Sequence, residues 1–133
     1  MTLATSDLNS LRSEKGLLFV PVAAATLVRN GLIACVNADG YAVEGSTATG
    51  LIYLGRFEET LHNEGADGEI SVRIRTDHAF QFENSSADPV TQANFGDVCF
   101  IEDNQTVAAT DGTGTRSKAG RVVGIDENGV WVE

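Results

Sequence analysis

Hydrophobic and polar positions alternate most regularly in residues 69–75, Glu-Ile-Ser-Val-Arg-Ile-Arg. Apolar residues occupy every second position, and polar or charged residues occupy the positions between them. Successive side chains of a strand point to opposite faces of a sheet, so this pattern predicts a half-buried strand with its apolar face inward. We take it as the central strand, because shorter pieces of the same pattern lie on both sides of it.

Short strands separated by glycine-rich turns are predicted along most of the chain. They cover residues 17–22, 32–37, 41–43, 51–60, 79–83, 98–102, 105–109, 121–125 and 130–132. Asp39-Gly40 and Asn128-Gly129 are typical of hairpin turns, because glycine readily adopts the positive φ angles that these turns need. Pro21 has no backbone N–H to donate, and it therefore indicates an edge position or a bend for the first strand.

Three segments between these strands have other interpretations. Residues 23–30 are expected to form a loop or a bent strand, and residues 62–68 an acidic loop. Residues 88–94 are expected to form one helical turn, with Asp88 as its cap and Pro89 at the first helical position.

Two parts of the chain have similar patterns. Residues 31–54 and 96–125 each contain a glycine, an apolar strand with a cysteine, a turn, a return strand, a loop of small residues and another strand. Two related β units folded on each other would make a small barrel or sandwich. Coincidence between turn-rich segments is the alternative.

The predicted fold class is all-β: a small single-domain barrel or sandwich of short antiparallel strands with a flexible N-terminal arm. At 133 residues the chain is long enough to bury one core. The arm is predicted over residues 1–15, where only Leu3, Leu8 and Leu11 interrupt polar residues, and the β domain over 16–133. A disordered terminus without a role is the other interpretation of the arm.

Charge argues against a nucleic-acid partner. The chain has 19 acidic and 9 basic residues and a net charge of -10. Such a surface repels phosphate backbones, and the densest cationic groups, residues 73–75 and 116–121, lie among carboxylates. The longest apolar run, residues 16–27, is short and contains Pro21, so no membrane-spanning segment is expected.

Candidate catalytic and metal-binding residues do not form a recognisable pattern. Cys35 and Cys99 each lie in an apolar run, which favours buried thiols over a disulfide or a reactive thiol. His62 and His78 lack metal-ligand spacing, and residues 112–118 lack the order that a phosphate-binding loop requires. We therefore expect no catalytic residue, no metal and no cofactor.

Turns and small residues carry a resemblance to a known family. The segments are residues 37–43 (Asn-Ala-Asp-Gly-Tyr-Ala-Val), 45–51 (Gly-Ser-Thr-Ala-Thr-Gly-Leu), 106–117 (Thr-Val-Ala-Ala-Thr-Asp-Gly-Thr-Gly-Thr-Arg-Ser) and 120–132. With these segments, residues 16–133 resemble the capsid cement, or head decoration, proteins of tailed phages and prophages.

This resemblance implies a structural virion protein and not an enzyme. It implies the major capsid protein as partner, a position on the capsid exterior after assembly in the bacterial cytoplasm, and a homo-dimer or homo-trimer. Leu3, Leu8 and Leu11 would belong to a capsid-binding arm. Small, weakly charged loops would provide oligomer contacts through Thr47, Thr49, Thr113 and Thr115.

Two other functions stay open at this point. A different phage structural module, such as a tail or fibre-base component, would share the β fold and the lack of catalytic residues. A small-ligand-binding β domain or an enzyme would instead need a deep pocket with converging polar groups.

Overall fold

Strands account for almost all regular structure in the computed structural model, which describes residues 2–13 and 15–133. Within those residues there is no α-helix, and one short 3-10 helix spans Gln92–Asn94. The strands are β1 (Leu17–Pro21), β2 (Thr26–Val28), β3 (Ile33–Val36), β4 (Ala42–Glu44), β5 (Ile52–Phe57), β6 (Leu61–Asn63), β7 (Ser71–Arg75), β8 (Phe80–Asn84), β9 (Val98–Ile101), β10 (Thr106–Ala108), β11 (Lys118–Asp126) and β12 (Gly129–Val132). The all-β prediction is confirmed.

These strands form a closed barrel, a five-stranded sheet and a two-stranded sheet. The sheet has the order β1-β7-β5-β3-β4, the closed barrel has the order β10-β8-β12-β11-β9, and β2 pairs with β6. Nearly all pairs are antiparallel, as expected. Among the named strands described, the exception is β8 with β10, which run parallel and help to close the barrel. Just after β1, Val22 also forms an isolated parallel bridge with Ala42 of β4. Closure satisfies backbone groups that an open edge would leave unpaired.

The strand predicted within residues 69–75 is confirmed as β7, which lies between β1 and β5. It is second from the edge of the sheet, and the central position belongs to β5. Val72 and Ile74 are fully buried, whereas Ser71 and Arg73 on the opposite face are exposed. The predicted start at residue 69 is two residues too early, because Glu69 belongs to a turn in which its N–H donates to the carbonyl of Ala66.

The position of β1 at the edge of the sheet agrees with the prediction from Pro21. Each residue of β1 lies opposite one of β7, from the Leu17–Arg75 pair to the Pro21–Ser71 pair. Flanking bonds run from the N–H of Thr76 to the carbonyl of Gly16 and from the N–H of Val22 to the carbonyl of Ile70. Antiparallel pairs alternate between bonded and non-bonded, so β1 directs every second backbone unit away from β7.

β3 connects two hydrophobic cores because its side chains alternate between them. Ile33 and Cys35 pack with the barrel interior, whereas Ala34 packs with the core beneath β7. The barrel core also contains Phe80, Phe82, Val90, Cys99, Ile101, Val107, Val122, Val130 and Val132. The second core contains Val22, Val28, Ala42, Phe57, Val72 and Ile74. The sheet therefore covers the barrel with one face and packs under β2 and β6 with the other.

The two similar sequence segments have the same strand order. In the first, β3 pairs with β4 on one side and β5 on the other. In the second, β9 pairs with β10 on one side and β11 on the other. Each cysteine lies in the central strand of its segment, where its small side chain is buried. The predicted likeness thus has a counterpart in topology.

The strand predicted over residues 51–60 ends at Phe57, and a strand that was not predicted follows. β6 lies within residues 61–68, most of which was interpreted as a loop. Asn63 explains why the chain is ordered there: its buried side-chain amide donates to the carbonyls of Val22, Ala23 and Ala66. A buried amide with all its partners ties β6 to the loop after β1.

The predicted helical turn is present, but its cap was wrongly assigned. The 3-10 helix begins after Thr91, whose N–H donates to the side-chain oxygen of Asn94 at 2.8 Å. Asp88 instead accepts hydrogen bonds from Thr110 and Arg116, which are distant in sequence. The carboxylate of Asp88 therefore bonds to residues distant in sequence and does not cap the helical turn.

Candidate contact surfaces

The two loops predicted to make oligomer contacts lie side by side. We call residues 45–50 the Thr47 loop and residues 111–119 the Thr113 loop. The buried hydroxyl of Ser117 donates to the carbonyl of Ala48 at 2.7 Å and accepts the N–H of Leu51 at 3.0 Å. One side chain therefore joins the end of each loop, and the loops form a continuous surface.

The four threonines of these loops are all exposed, but they differ in what their hydroxyls contact. Thr47 donates to the carbonyl of Glu102, and Thr115 donates to the carbonyl of Gly112 at 3.0 Å. Thr113 has a positive φ of 62° and lies at the tip of its loop. The hydroxyl of Thr113 also donates to the carbonyl of Gly112, at 2.5 Å. The hydroxyls of Thr47, Thr113 and Thr115 thus all bond within the protein, and Thr113 is a candidate for an outside contact because of its exposed position at the tip.

An ion cluster supports the Thr113 loop from below. Arg116 contacts Asp88 Oδ2 at 2.9 Å and Glu102 Oε1 at 3.3 Å, and its own side chain is only 14% exposed. It also donates to the carbonyl of Thr110 at 3.1 Å, while Ser85 donates to Glu102 at 2.6 Å. This Arg116 cluster joins three segments of the chain through charge-assisted hydrogen bonds.

The pKa of Asp88 is lowered by its place in this cluster. The hydroxyl of Thr110 is the largest cause, and the backbone N–H of Thr110 and the guanidinium of Arg116 add to it. Each of these groups stabilises the charged carboxylate. Asp88 therefore stays ionised over the neutral and mildly acidic range.

The densest cationic groups on the surface are paired with carboxylates. On β5 and β7, Arg75 contacts Glu58 at 3.0 Å and Arg73 contacts Glu59 at 2.9 Å. For Glu58, desolvation is the largest single effect and raises the pKa, but the hydrogen bonds and charges of Arg75 and Arg56 together outweigh it, so the pKa is lowered. The pKa of Glu59 is lowered chiefly by the hydrogen bond from the side chain of Arg73. The cations therefore neutralise neighbours and do not form an uninterrupted basic patch.

The predicted arm is exposed wherever it is described. It was expected over residues 1–15, of which Met1 and Glu14 lie outside the described residues. Leu3, Leu8 and Leu11 are 79%, 80% and 98% exposed. Residues 2–13 form neither strand nor helix, so three large apolar side chains face solvent at the entrance to β1.

An open groove of about 480 Å³ lies where the arm joins the sheet. His78 contacts the carbonyl of Thr76 at 2.7 Å through Nδ1, and Thr76 itself donates to the carbonyl of Gly16. The groove is lined by Tyr53, Leu54, Thr76, Asp77, His78, Ala79 and Glu133. It is the best candidate for a small-ligand site, but it opens to solvent beside the arm and is not a deep pocket.

Both cysteines are free and buried, as their apolar neighbours predicted. Burial raises the pKa of Cys35 to about 12 and that of Cys99 to about 12. A nucleophilic cysteine needs a thiolate at working pH, and these two remain protonated there. They act as small apolar groups in the barrel core.

In the part of the chain that the structure describes, no three His, Cys, Asp or Glu side chains converge as metal ligands. Across the same residues, no helix has the length and apolar character needed to cross a membrane.

Several residues that shape these surfaces could not be recognised in the sequence. Ser117 and Arg116 occur in a polar loop, and only the fold shows that one is buried and the other bridges two carboxylates. Phe19 lies in a strand that was predicted at an edge or a bend, but its 68% exposure was not predicted. A run of apolar residues next to Pro21 was the one available signal that β1 has an uncovered side.

Comparison with protein-family models, curated proteins and solved structures finds no match to this chain. The surfaces described above are therefore the basis for assigning a function.

Proposed function

We propose that this chain is a capsid cement protein, which binds the outer surface of a phage head and stabilises contacts between major capsid subunits. The turn segments at residues 37–51 and 106–117 support this role through their resemblance to cement proteins. The fold adds an independent reason: a rigid β body with an exposed apolar arm suits a protein that joins other proteins.

The exposed arm is the observation on which the proposal depends most. Three leucines that are at least 79% exposed have no partner within the described chain, although burying each would be favourable by about 1.5–3 kcal/mol. A coat subunit that offers an apolar groove or a sheet edge would bury them. The arm would then lose its conformational entropy on binding, and burial of the leucines would offset that loss.

Individually weak contacts would be sufficient for attachment, because each copy would contact more than one coat subunit. A copy that bridges neighbouring subunits binds the second one at a high effective concentration once the first contact has formed. The proposed homo-dimer or homo-trimer would match a local symmetry axis of the shell. An acidic body with net charge -10 is compatible with the capsid exterior, away from packaged DNA.

The test of this role uses shells that lack the protein. Purified chain should bind expanded shells saturably, at a fixed ratio to the coat protein, and bound shells should survive heating better. Deleting residues 2–13 should weaken binding about tenfold or more, because the leucines no longer bury surface, a loss equal to about 1.4 kcal/mol. Cosedimentation at increasing protein concentration measures the ratio at saturation and the loss of affinity.

A variant with Leu3, Leu8 and Leu11 all changed to serine keeps the length of the arm and should reproduce the effect of the deletion. If the deleted protein binds as tightly as the intact one, the arm has no role in attachment. If the intact protein does not bind mature shells at all, the cement function is rejected, and a tail or fibre-base location is preferred.

The Thr47 and Thr113 loops are the proposed surface for contacts between copies in the bound layer. Thr113→Glu places a charge at the exposed tip, where a second acidic copy would approach, and should weaken saturating binding about threefold to tenfold. Gln92→Glu adds the same charge at an exposed position outside both loops and should leave binding unchanged. Equal binding curves for the two variants would exclude the loops from the interface.

A further inference from the structure

The outer side of β1 is an apolar strand edge. Leu17, Leu18 and Phe19 are 37%, 38% and 68% exposed, and β1 is the terminal strand of its sheet. Large apolar side chains are rarely clustered on an unpaired edge, because such an edge recruits other strands.

The backbone of this edge has free hydrogen-bonding groups at defined residues. Gly16 and Val22 form hydrogen bonds with Thr76 and Ile70, the residues on either side of β7. The alternation of bonded and non-bonded pairs then makes Leu18 and Val20 the residues that bond to β7 itself. Leu17 and Phe19 therefore direct their N–H and C=O groups away from β7. From Pro21 onward this side is covered, because Val22 forms a parallel bridge with Ala42 of β4 and the N–H of Ala23 donates to the carbonyl of Ala42.

Charge favours a second copy of this chain as the occupant. Residues 15–38 contain Lys15 and Arg29 but no acidic residue, in a protein with 19 acidic residues. On the neighbouring strand, Arg73 and Arg75 are neutralised by Glu59 and Glu58. An acidic protein that associates with itself meets least repulsion where carboxylates are absent or paired.

We propose that β1 pairs antiparallel with β1 of a second copy, about a twofold axis that passes beside Leu18. Phe19 of each copy would exchange its N–H and C=O bonds with Leu17 of the other. Their side chains would lie opposite each other on one face, and the two Leu18 side chains would meet on the other face. Cross-strand apolar pairs of this kind stabilise antiparallel sheets.

Pro21 selects this register over the neighbouring one. An axis beside Phe19 would place Leu17 opposite Pro21, and the carbonyl of Leu17 would then face a residue that has no N–H. An axis beside Leu18 keeps the pairing at residues 17–19, before the point where Ala42 of β4 covers the outer side of the chain. The strand is thus self-complementary in one register.

The pairing depends on the sheet edge alone and not on the proposed virion role. A contact made mainly by one short strand is smaller than the interfaces of stable complexes, so the dimer should be concentration-dependent. Both sheets would become one continuous sheet across the axis, which leaves the Thr47 and Thr113 loops outside the strand pairing.

The test is sedimentation of the purified protein, without shells, over a range of concentrations. The intact chain should form dimers, and Phe19→Pro should remove them, because it deletes an outward N–H that the monomer does not use. Phe19→Ala loses the ring but keeps the N–H, and it should weaken dimers less than Phe19→Pro does. Phe95→Ala removes an aromatic ring that is 52% exposed elsewhere and should have no effect.

Amide hydrogen exchange identifies the contact directly. The amides of Leu17 and Phe19 should become protected as the protein concentration rises, whereas that of Thr113 should not. A monomer at every concentration, or a dimer without protection at Leu17 and Phe19, would overturn the pairing. If Phe19→Pro fails to fold, Phe19→Lys keeps the outward N–H and still places a charge in the apolar contact, so it should also reduce dimers.

Discussion

Gly55→Ala is expected to destabilise the protein by about 3 kcal/mol or more, a large fraction of the stability of a small domain. Gly55 is buried in β5 with a φ of 151°, a backbone conformation that residues with a side chain rarely adopt. A Cβ at this position would collide with the backbone carbonyl of Arg75 on β7 and would lie 3.2 Å from the ring of Phe80. The strand pair would have to separate to accommodate it.

Gly40→Ala is the matched control, because it changes the same residue type at another positive φ. Gly40 has a φ of 87°, and a Cβ there would meet nothing within 4 Å. Only the cost of the left-handed conformation remains, about 1–2 kcal/mol. Denaturant unfolding of both variants measures the difference, and equal losses of stability would show that close approach of β5 and β7 is unimportant.

Arg116→Ala is expected to lower the free energy of unfolding by about 2 kcal/mol at neutral pH. The change leaves Asp88 and Glu102 without their shared cation and the carbonyl of Thr110 without its donor. All three side chains of the ion pairs are less than one-third exposed, so solvent replaces the lost contacts only in part. Chemical denaturation monitored by fluorescence measures the loss.

The stabilising effect of the Arg116 cluster should also depend on pH in the acidic range. Because the pKa of Asp88 is lower in the folded state than its ordinary value, the group stabilises the fold above about pH 4. That contribution disappears as the pH falls from about 4 through the lowered pKa, since the folded state must then take up the proton. Arg116→Ala removes the contribution of the guanidinium but leaves the Thr110 hydroxyl, the largest cause, in place. Its unfolding free energy should therefore fall only slightly less steeply with acidification than that of the original chain.

Arg121→Ala is the control for this variant. Arg121 pairs with Glu133 at 2.6 Å, but the two side chains are 54% and 48% exposed. Exposed pairs contribute about 0–1 kcal/mol, so the loss should be small. If Arg116→Ala costs no more than Arg121→Ala, the Arg116 cluster does not hold the Thr113 loop.

Local patterns predicted most strands because alternation and turn chemistry act over a few residues. Val72 and Ile74 showed the buried face of β7, and Pro21 indicated the edge position of β1. A pattern that extends over only a few residues does not show which strands pair. The parallel contact of β8 with β10, and the role of β3 in two cores, arise from distant parts of the chain.

The candidate surfaces were predictable only in outline. The sequence indicated an arm with three leucines and two loops of small residues, and the structure shows that the loops are neighbours. It could not indicate Ser117 or Arg116 as the residues that join and support them, because a polar residue in a loop has the same local pattern whether buried or exposed. Asp88 was assigned to a helix cap for the same reason.

Because β3 contributes to both hydrophobic cores, it links their unfolding. Separating β3 from either core uncovers Ile33 and Cys35 on one side or Ala34 on the other, and it removes the strand from the remaining core as well. Unfolding that begins in one core therefore extends to the other. The chain should have no partly unfolded intermediate that retains one intact core. Probes of the two cores should then report one shared unfolding transition.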